Sequence, residues 1–236
     1  MNKDEAKRLI QDTLQNTFSK ERFLYFVKNL LNEIDESKAF HAHGYVLEIY
    51  RNFVKTYERL GTFTDPAGKK IDILIVYLQK ETSIDKARTA QRNFIAQYLK
   101  DRGEKDAGLI AFVSPDGDDW RFSFVKMEYK FVESPTGKVK AKESFTPAKR
   151  YSFLVGPHEA SHTAQSRMLP VILNDSTNPT LEEIEDIFSV EKVTKEFFEQ
   201  YKKLFLNLVD EFTKNTEFKQ KVVMSIKLRW QTSLKS

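Results

Sequence analysis

Residues 70–99 read KIDILIVYLQKETSIDKARTAQRNFIAQYL. Ile71 to Leu78 is an almost unbroken aliphatic run, interrupted near its start by one acid, Asp72. Such a run is the pattern of a strand covered on both faces. The period then changes. Ile84, Ala87, Ala90, Phe94, Ile95 and Tyr98 recur at helical spacing, which predicts a helix from Ser83, a capping residue, to about residue 101. Gly103 stands where that helix stops. A buried strand feeding an Arg- and Gln-rich helix is the start of an α/β unit. It poses a question: an apolar strand carries a carboxylate only for a reason.

Upstream, YERLGTFTDPAGKK leads into the strand through Asp65-Pro66-Ala67-Gly68, a turn in which Pro presets φ and Gly accepts φ > 0. A hairpin is expected. Residues 45–56 fit a helix better than a strand, and two amphipathic helices are predicted over 3–17 and 20–35, the second capped by Ser19. Downstream, strands are expected at 108–113, 120–132 and 138–144, with turns at Pro115-Asp116-Gly117 and Pro135-Thr136-Gly137. A short strand, RYSFLVG, follows. Residues 160–180 read as irregular, and TLEEIEDIFSV and EKVTKEFFEQYKKLFLNLVDEFTK as helices with acidic starts. The fold class predicted is α/β (α+β), a central mixed sheet with flanking helices and helical N- and C-terminal segments. The expected parts are 1–44, an N-terminal helical segment; 45–175, the α/β core; 180–214, C-terminal helices; and 215–236, a basic tail where a longer chain is interrupted.

The chain has 236 residues, 40% hydrophobic and 31% charged, which is the composition of an ordinary globular protein. Its net charge of +4 is compatible with a nucleic-acid partner without requiring one. The absence of cysteine excludes disulfides and thiolate metal sites and favours a cytoplasmic setting. No apolar stretch approaches a membrane span, and the N-terminus does not read as a signal peptide. Four scattered histidines make a poor zinc set, and SPDGDDW lacks the ligand spacing of a calcium loop.

IDILIVYLQKETSIDKARTAQRNFIAQYL, AFVSPDGDDWRFSFVKMEYKF, FTPAKRYSFLVG and SHTAQSRMLPVI, in that order, resemble the N-terminal region of type IIG-like bacterial restriction–modification proteins, over about residues 1–212. In that family an adenine-specific DNA methylase and a target-recognition part follow. The resemblance implies a restriction-endonuclease-like core of the PD-(D/E)XK class, a role in bacterial defence, DNA as partner, and a methylase or specificity domain as a second. It implies Mg²⁺-dependent phosphodiester hydrolysis if the centre is active. No S-adenosylmethionine motif stands in this chain.

Carried onto this sequence, Asp72 would be a metal ligand and Glu58, on the other arm of the hairpin, a second. Acids suit Mg²⁺, which takes oxygen ligands and activates the attacking water. The positions where acid-x-Lys belongs hold Tyr77 and Gln79, so the pattern departs there. Gln79 or Lys80 would then position water. Arg88, Gln91 and Arg92, three to four apart, would share a face toward DNA, and Arg167 would touch a phosphate or another domain. Two alternatives stand beside this reading. Asp72 also suits a turn cap or a pair with Lys69 or Lys70. A catalytically degenerate DNA-binding or methylase-docking scaffold would explain the missing acid-x-Lys.

Overall fold

The computed structural model describes residues 1–40, 45–79, 84, 87–103, 105–115, 117–133, 139–145 and 151–214. It divides into two units, residues 1–190 and 191–236. In the first, helices α1 (Lys3–Leu14) and α2 (Lys20–Leu31) precede strands β1 (Val54–Thr64) and β2 (Lys70–Leu78). Helix α3 (Arg88–Arg102) and strands β3 (Ala107–Val113), β4 (Trp120–Glu133), β5 (Val139–Phe145) and β6 (Ser152–Val155) follow. Helices α4 (His162–Ile172) and α5 (Leu181–Phe188) end the unit. Helix α6 (Val190–Lys214) begins at its last residue and runs into the second.

The strands form one mixed sheet in the order β1-β2-β3-β4-β5, with β6 on β4. The pairs β1–β2, β3–β4, β4–β5 and β4–β6 are antiparallel; β2 and β3 are parallel. Parallel neighbours need a crossover, and α3 supplies it. Ile71, Ile73, Ile75, Leu109, Phe122 and Phe124 face α1, α2, α4 and α5. Leu74, Val76, Ile110, Phe112 and Val125 face α3 and its Phe94, Ile95, Tyr98 and Leu99. The inner strands are thus apolar on both faces, as the aliphatic run of β2 predicts. On the first face Phe23, Trp120 and Phe122 meet edge to face, with centroids 5.5 to 5.7 Å apart from the Phe23 ring. Such pairs add about 0.5–1.5 kcal/mol beyond their burial.

The N-terminal helices pack into this core. Ala6, Ile10, Leu14, Phe23, Phe26 and Leu30 are fully buried in it. An Asn2–Glu5 capping box starts α1, and Ser19 caps α2 as expected. Asn32, at φ 65°, ends α2 short of the predicted residue 35. Residues 45–56 form only a 3₁₀ turn, Glu48–Tyr50, before β1 begins at Val54. The β-branched Val54 and the cross-strand pairing with Leu78 outweigh the helical spacing there. Residues 162–172, expected to be irregular, are α4. Its Pro170 sits near the helix end, and Ala164, Met168 and Ile172 bury a stripe at i, i+4 and i+8. The predicted Ser83 cap, Lys80 and the basic tail fall outside the described residues.

In the second unit α6 shows Phe197, Tyr201, Leu204 and Leu208 at helical spacing, all exposed. No helix among the described residues is long and apolar enough to cross a membrane.

Candidate functional site

Asp72 is fully buried on the α3 side of the sheet. Its cross-strand partner is Thr62, as counting back from the Asp65–Gly68 turn requires. Thr62 Oγ1 donates to Asp72 Oδ1 at 2.7 Å, and Tyr98 from α3 donates its phenol to Oδ2 at 2.7 Å. Two cations complete the cluster. Lys105 Nζ lies 3.3 Å from Oδ1 and donates to Thr62 Oγ1 at 3.2 Å. Arg59 Nη1 lies 3.6 Å from Oδ2. Burial, and then the Asp72 charge, push the Tyr98 phenol far above its ordinary range. The acid in the apolar strand is therefore the centre of a buried ion-pair network. A pair with Lys69 or Lys70 is not made: Lys69 instead meets Asp106 at 3.1 Å.

A β-bulge arranges this. Along β1 the register slips between Arg59, opposite Leu74, and Gly61, opposite Ile73. One extra residue reverses the parity of everything upstream. Arg59 and Thr62, three apart, consequently both face Asp72. Glu58 is carried the other way: it stands opposite Ile75, on the face covered by α1 and α2. There Lys20 pairs with it, and Tyr77 hydrogen-bonds to it. Burial, reinforced by Glu58, pushes the Tyr77 phenol up to about 12.

The expected metal pair is thus not assembled. Asp72 and Glu58 lie on opposite faces of the sheet, and what surrounds the Asp72 oxygens is a hydroxyl, a phenol, an ammonium and a guanidinium. Mg²⁺ asks for oxygen ligands and waters in that space, so these residues do not fit the ion. Among the described residues no group of three acidic, His or Cys side chains that could hold a metal ion is present. Gln79 donates its amide to the Arg51 carbonyl at 2.9 Å. It lies seven residues along from Asp72, about 23 Å at a strand's rise, and does not share a water with it.

The residues expected to meet DNA are also divided. Arg88 and Arg92 flank α3 beside a small hollow that also touches Arg121, Ser123 and Tyr151. Gln91 lines the same hollow but offers almost no surface to a ligand. It is 1% exposed and turned to the sheet, donating to the Ile84 carbonyl at 3.1 Å, its own Oε1 buried without a donor. Arg92 Nε is likewise buried without an acceptor. Arg167 belongs to α4, whose apolar stripe packs in the layer on the opposite face, so it does not join the α3 cations.

The other flank of α3 borders an open pocket of about 550 Å³. Arg59, Tyr98 and Lys105, the groups around Asp72, form part of its wall. Tyr45, Tyr50, Tyr57 and Phe94 supply aromatic surface, and Lys38, Asp101 and Arg102 line it too. By sequence Arg59 suits a surface pair with Glu58, which is not made because Glu58 meets Lys20 and Arg59 is buried on Asp72; Lys105 and Arg102 carried no sequence signal. Thr62 alone was legible, from hairpin counting; the others depend on the bulge and on how α3 lies across the sheet. Comparison with family models, curated proteins and solved structures gave no match.

Proposed function

We propose that this chain is a DNA-associated module of a restriction–modification system that acts by binding, not by Mg²⁺-dependent cleavage at Asp72. The β1–β2 hairpin with an acid on its second strand supports a likeness to the restriction-endonuclease core, while the acid-x-Lys which that core uses for cleavage is not in place. The observation that carries the binding reading is the row of cations on α3, where Arg88 and Arg92 are half-buried and Arg102 is exposed. Guanidinium groups bind phosphate bidentately. Asp72, which a nuclease would spend on a metal, is here spent on Arg59 and Lys105.

A gel shift with duplex DNA across a salt series, alongside a plasmid-nicking assay in Mg²⁺ or Mn²⁺, tests this. Binding is expected to weaken steeply with salt. Replacing Arg88 and Arg92 by Ala should flatten the log–log salt slope by roughly 1 per lost contact. No nicking that depends on Asp72 is expected. Nicking abolished by Asp72→Asn in a folded variant would restore the hydrolytic reading, and absence of binding even at low salt would remove the DNA reading. A second reading, docking onto a methylase or specificity subunit, is favoured by the exposed Phe197, Tyr201, Leu204 and Leu208 stripe of α6.

A further inference from the structure

The pocket beside the Asp72 network is better furnished for a small anion with a flat ring than for the side of a duplex. We propose that it binds a nucleoside 5′-monophosphate group, either as the free nucleotide or as the 5′-phosphorylated end of a DNA strand. The inference does not depend on the Arg88–Arg92 flank.

Charge comes first. Asp72 neutralises one of the two cations it holds, Arg59 and Lys105, leaving one positive charge in surplus at the wall. Of the remaining lining residues, Lys38 and Arg102 are cationic and Asp101 acidic, which leaves a second. A phosphate monoester carries about −1.5 to −2 at neutral pH, and matches it. Donors come next. Of the three hydrogens of Lys105, one faces Asp72 and one Thr62, so one remains for a ligand. The Arg102 guanidinium makes no hydrogen bond or ion pair among the described residues. It is held in place by stacking, 4.9 Å over the Tyr98 ring and 5.7 Å over Phe40. A guanidinium fixed in orientation with its donors uncommitted is a preformed phosphate fork.

The ring has its own surface. Tyr45 lines the same pocket and is 73% exposed; the Arg51 guanidinium lies 6.0 Å from its ring centroid, and the remaining aromatic surface is open to a base. Beside it, Tyr57 meets Phe94 edge to face at 5.4 Å, a rigid aromatic wall. A volume of about 550 Å³ is in the range of small-molecule sites.

The test is calorimetric titration of the full chain with AMP, adenosine and inorganic phosphate. Fluorescence anisotropy with matched single-stranded oligonucleotides bearing a 5′-phosphate or a 5′-hydroxyl completes it. AMP is expected to bind at least tenfold more tightly than adenosine. Arg102→Ala, a surface change, should weaken AMP at least tenfold while the thermal transition stays put, and Arg102→Lys should recover part of the loss. A strand-end site shows as preference for the phosphorylated oligonucleotide with competition by AMP; a free-nucleotide site shows AMP binding without that preference. If AMP binds no better than adenosine and the 5′-phosphate makes no difference, or if Arg102→Ala leaves AMP affinity unchanged, the proposal is wrong. None of these probes is a duplex, so the outcome is independent of the gel shift.

Discussion

Asp72 illustrates how burial decides what a carboxylate does. An isolated charge inside a sheet costs several kcal/mol; this one is held by two cations and two hydroxyl donors. The arrangement is compensated, which is different from being strongly stabilising, because both cations were also taken out of water. Removing the acid therefore does damage through what it leaves behind: Arg59 and Lys105 in the same place without a counter-charge. Asp72→Asn is expected to destabilise the fold by about 3–5 kcal/mol, the range for breaking a buried pair. Glu58→Gln should cost less, about 1 kcal/mol, because the Lys20–Glu58 pair is partly in water. Urea unfolding midpoints of the two variants check the order. Equal midpoints would mean that solvent reaches Asp72.

The hairpin β1–β2 shows what one additional residue does to a site. Without the bulge, Glu58 would pair with Val76 and face the same way as Asp72, and the acid pair expected of a metal centre would stand on one face. With it, Glu58 goes to Lys20 and Arg59 comes to Asp72. The bulge is pinned by a close approach. A Cβ on Gly61 would sit 2.4 Å from Ile34 Cγ2 and 2.8 Å from the Asp35 carbonyl oxygen. The segment that crowds it bridges to β1 at Asp35–Thr62 and again at Phe40–Arg59. Gly61→Ala is accordingly expected to cost about 1–3 kcal/mol as overpacking and to disturb Arg59 and the pocket together. A fall in chemical denaturation midpoint with a matching change in AMP affinity would show it; a neutral substitution would show that residues 34–40 move aside freely.

Tyr77, Tyr98 and Lys126 are among the groups that hold their protons more tightly in the folded chain than out of it. Burial, with Glu58, raises Tyr77; burial, with Asp72, raises Tyr98. For Lys126 burial works in the opposite direction, but the hydrogen bonds and charges of Glu185 and Glu128 outweigh it and raise its value. A raised value in the native state means stability that is complete below the unfolded value and lost as pH climbs through the folded one. The unfolded values are 10.0 for the phenols and 10.5 for the amine. Unfolding free energy should therefore decline from about pH 10 through 12 and above. Tyr77→Phe should flatten that decline in the segment between 10 and 12. A stability curve level to pH 12 would contradict the buried environment of both tyrosines.

Much of the architecture was written in local patterns. The aliphatic run of β2, the turn at Asp65–Gly68 and the stop at Gly103 need only near neighbours to be read, and all three stand in the structure; α3 begins only at Arg88, so Ile84 and Ala87, expected in its stripe, precede the helix. Helix α4 was hidden because Pro170 and a polar start mask its short buried stripe, and β1 began where helical spacing suggested otherwise. The candidate site was legible only as an acid in the wrong surroundings. Which cations answer it was settled by a one-residue slip in register and by the way α3 crosses the sheet. Both arise from side-chain packing between segments distant in sequence: a period of two tells which way a side chain points only while the pairing stays regular, and here the packing of residues 34–35 against Gly61 breaks that regularity.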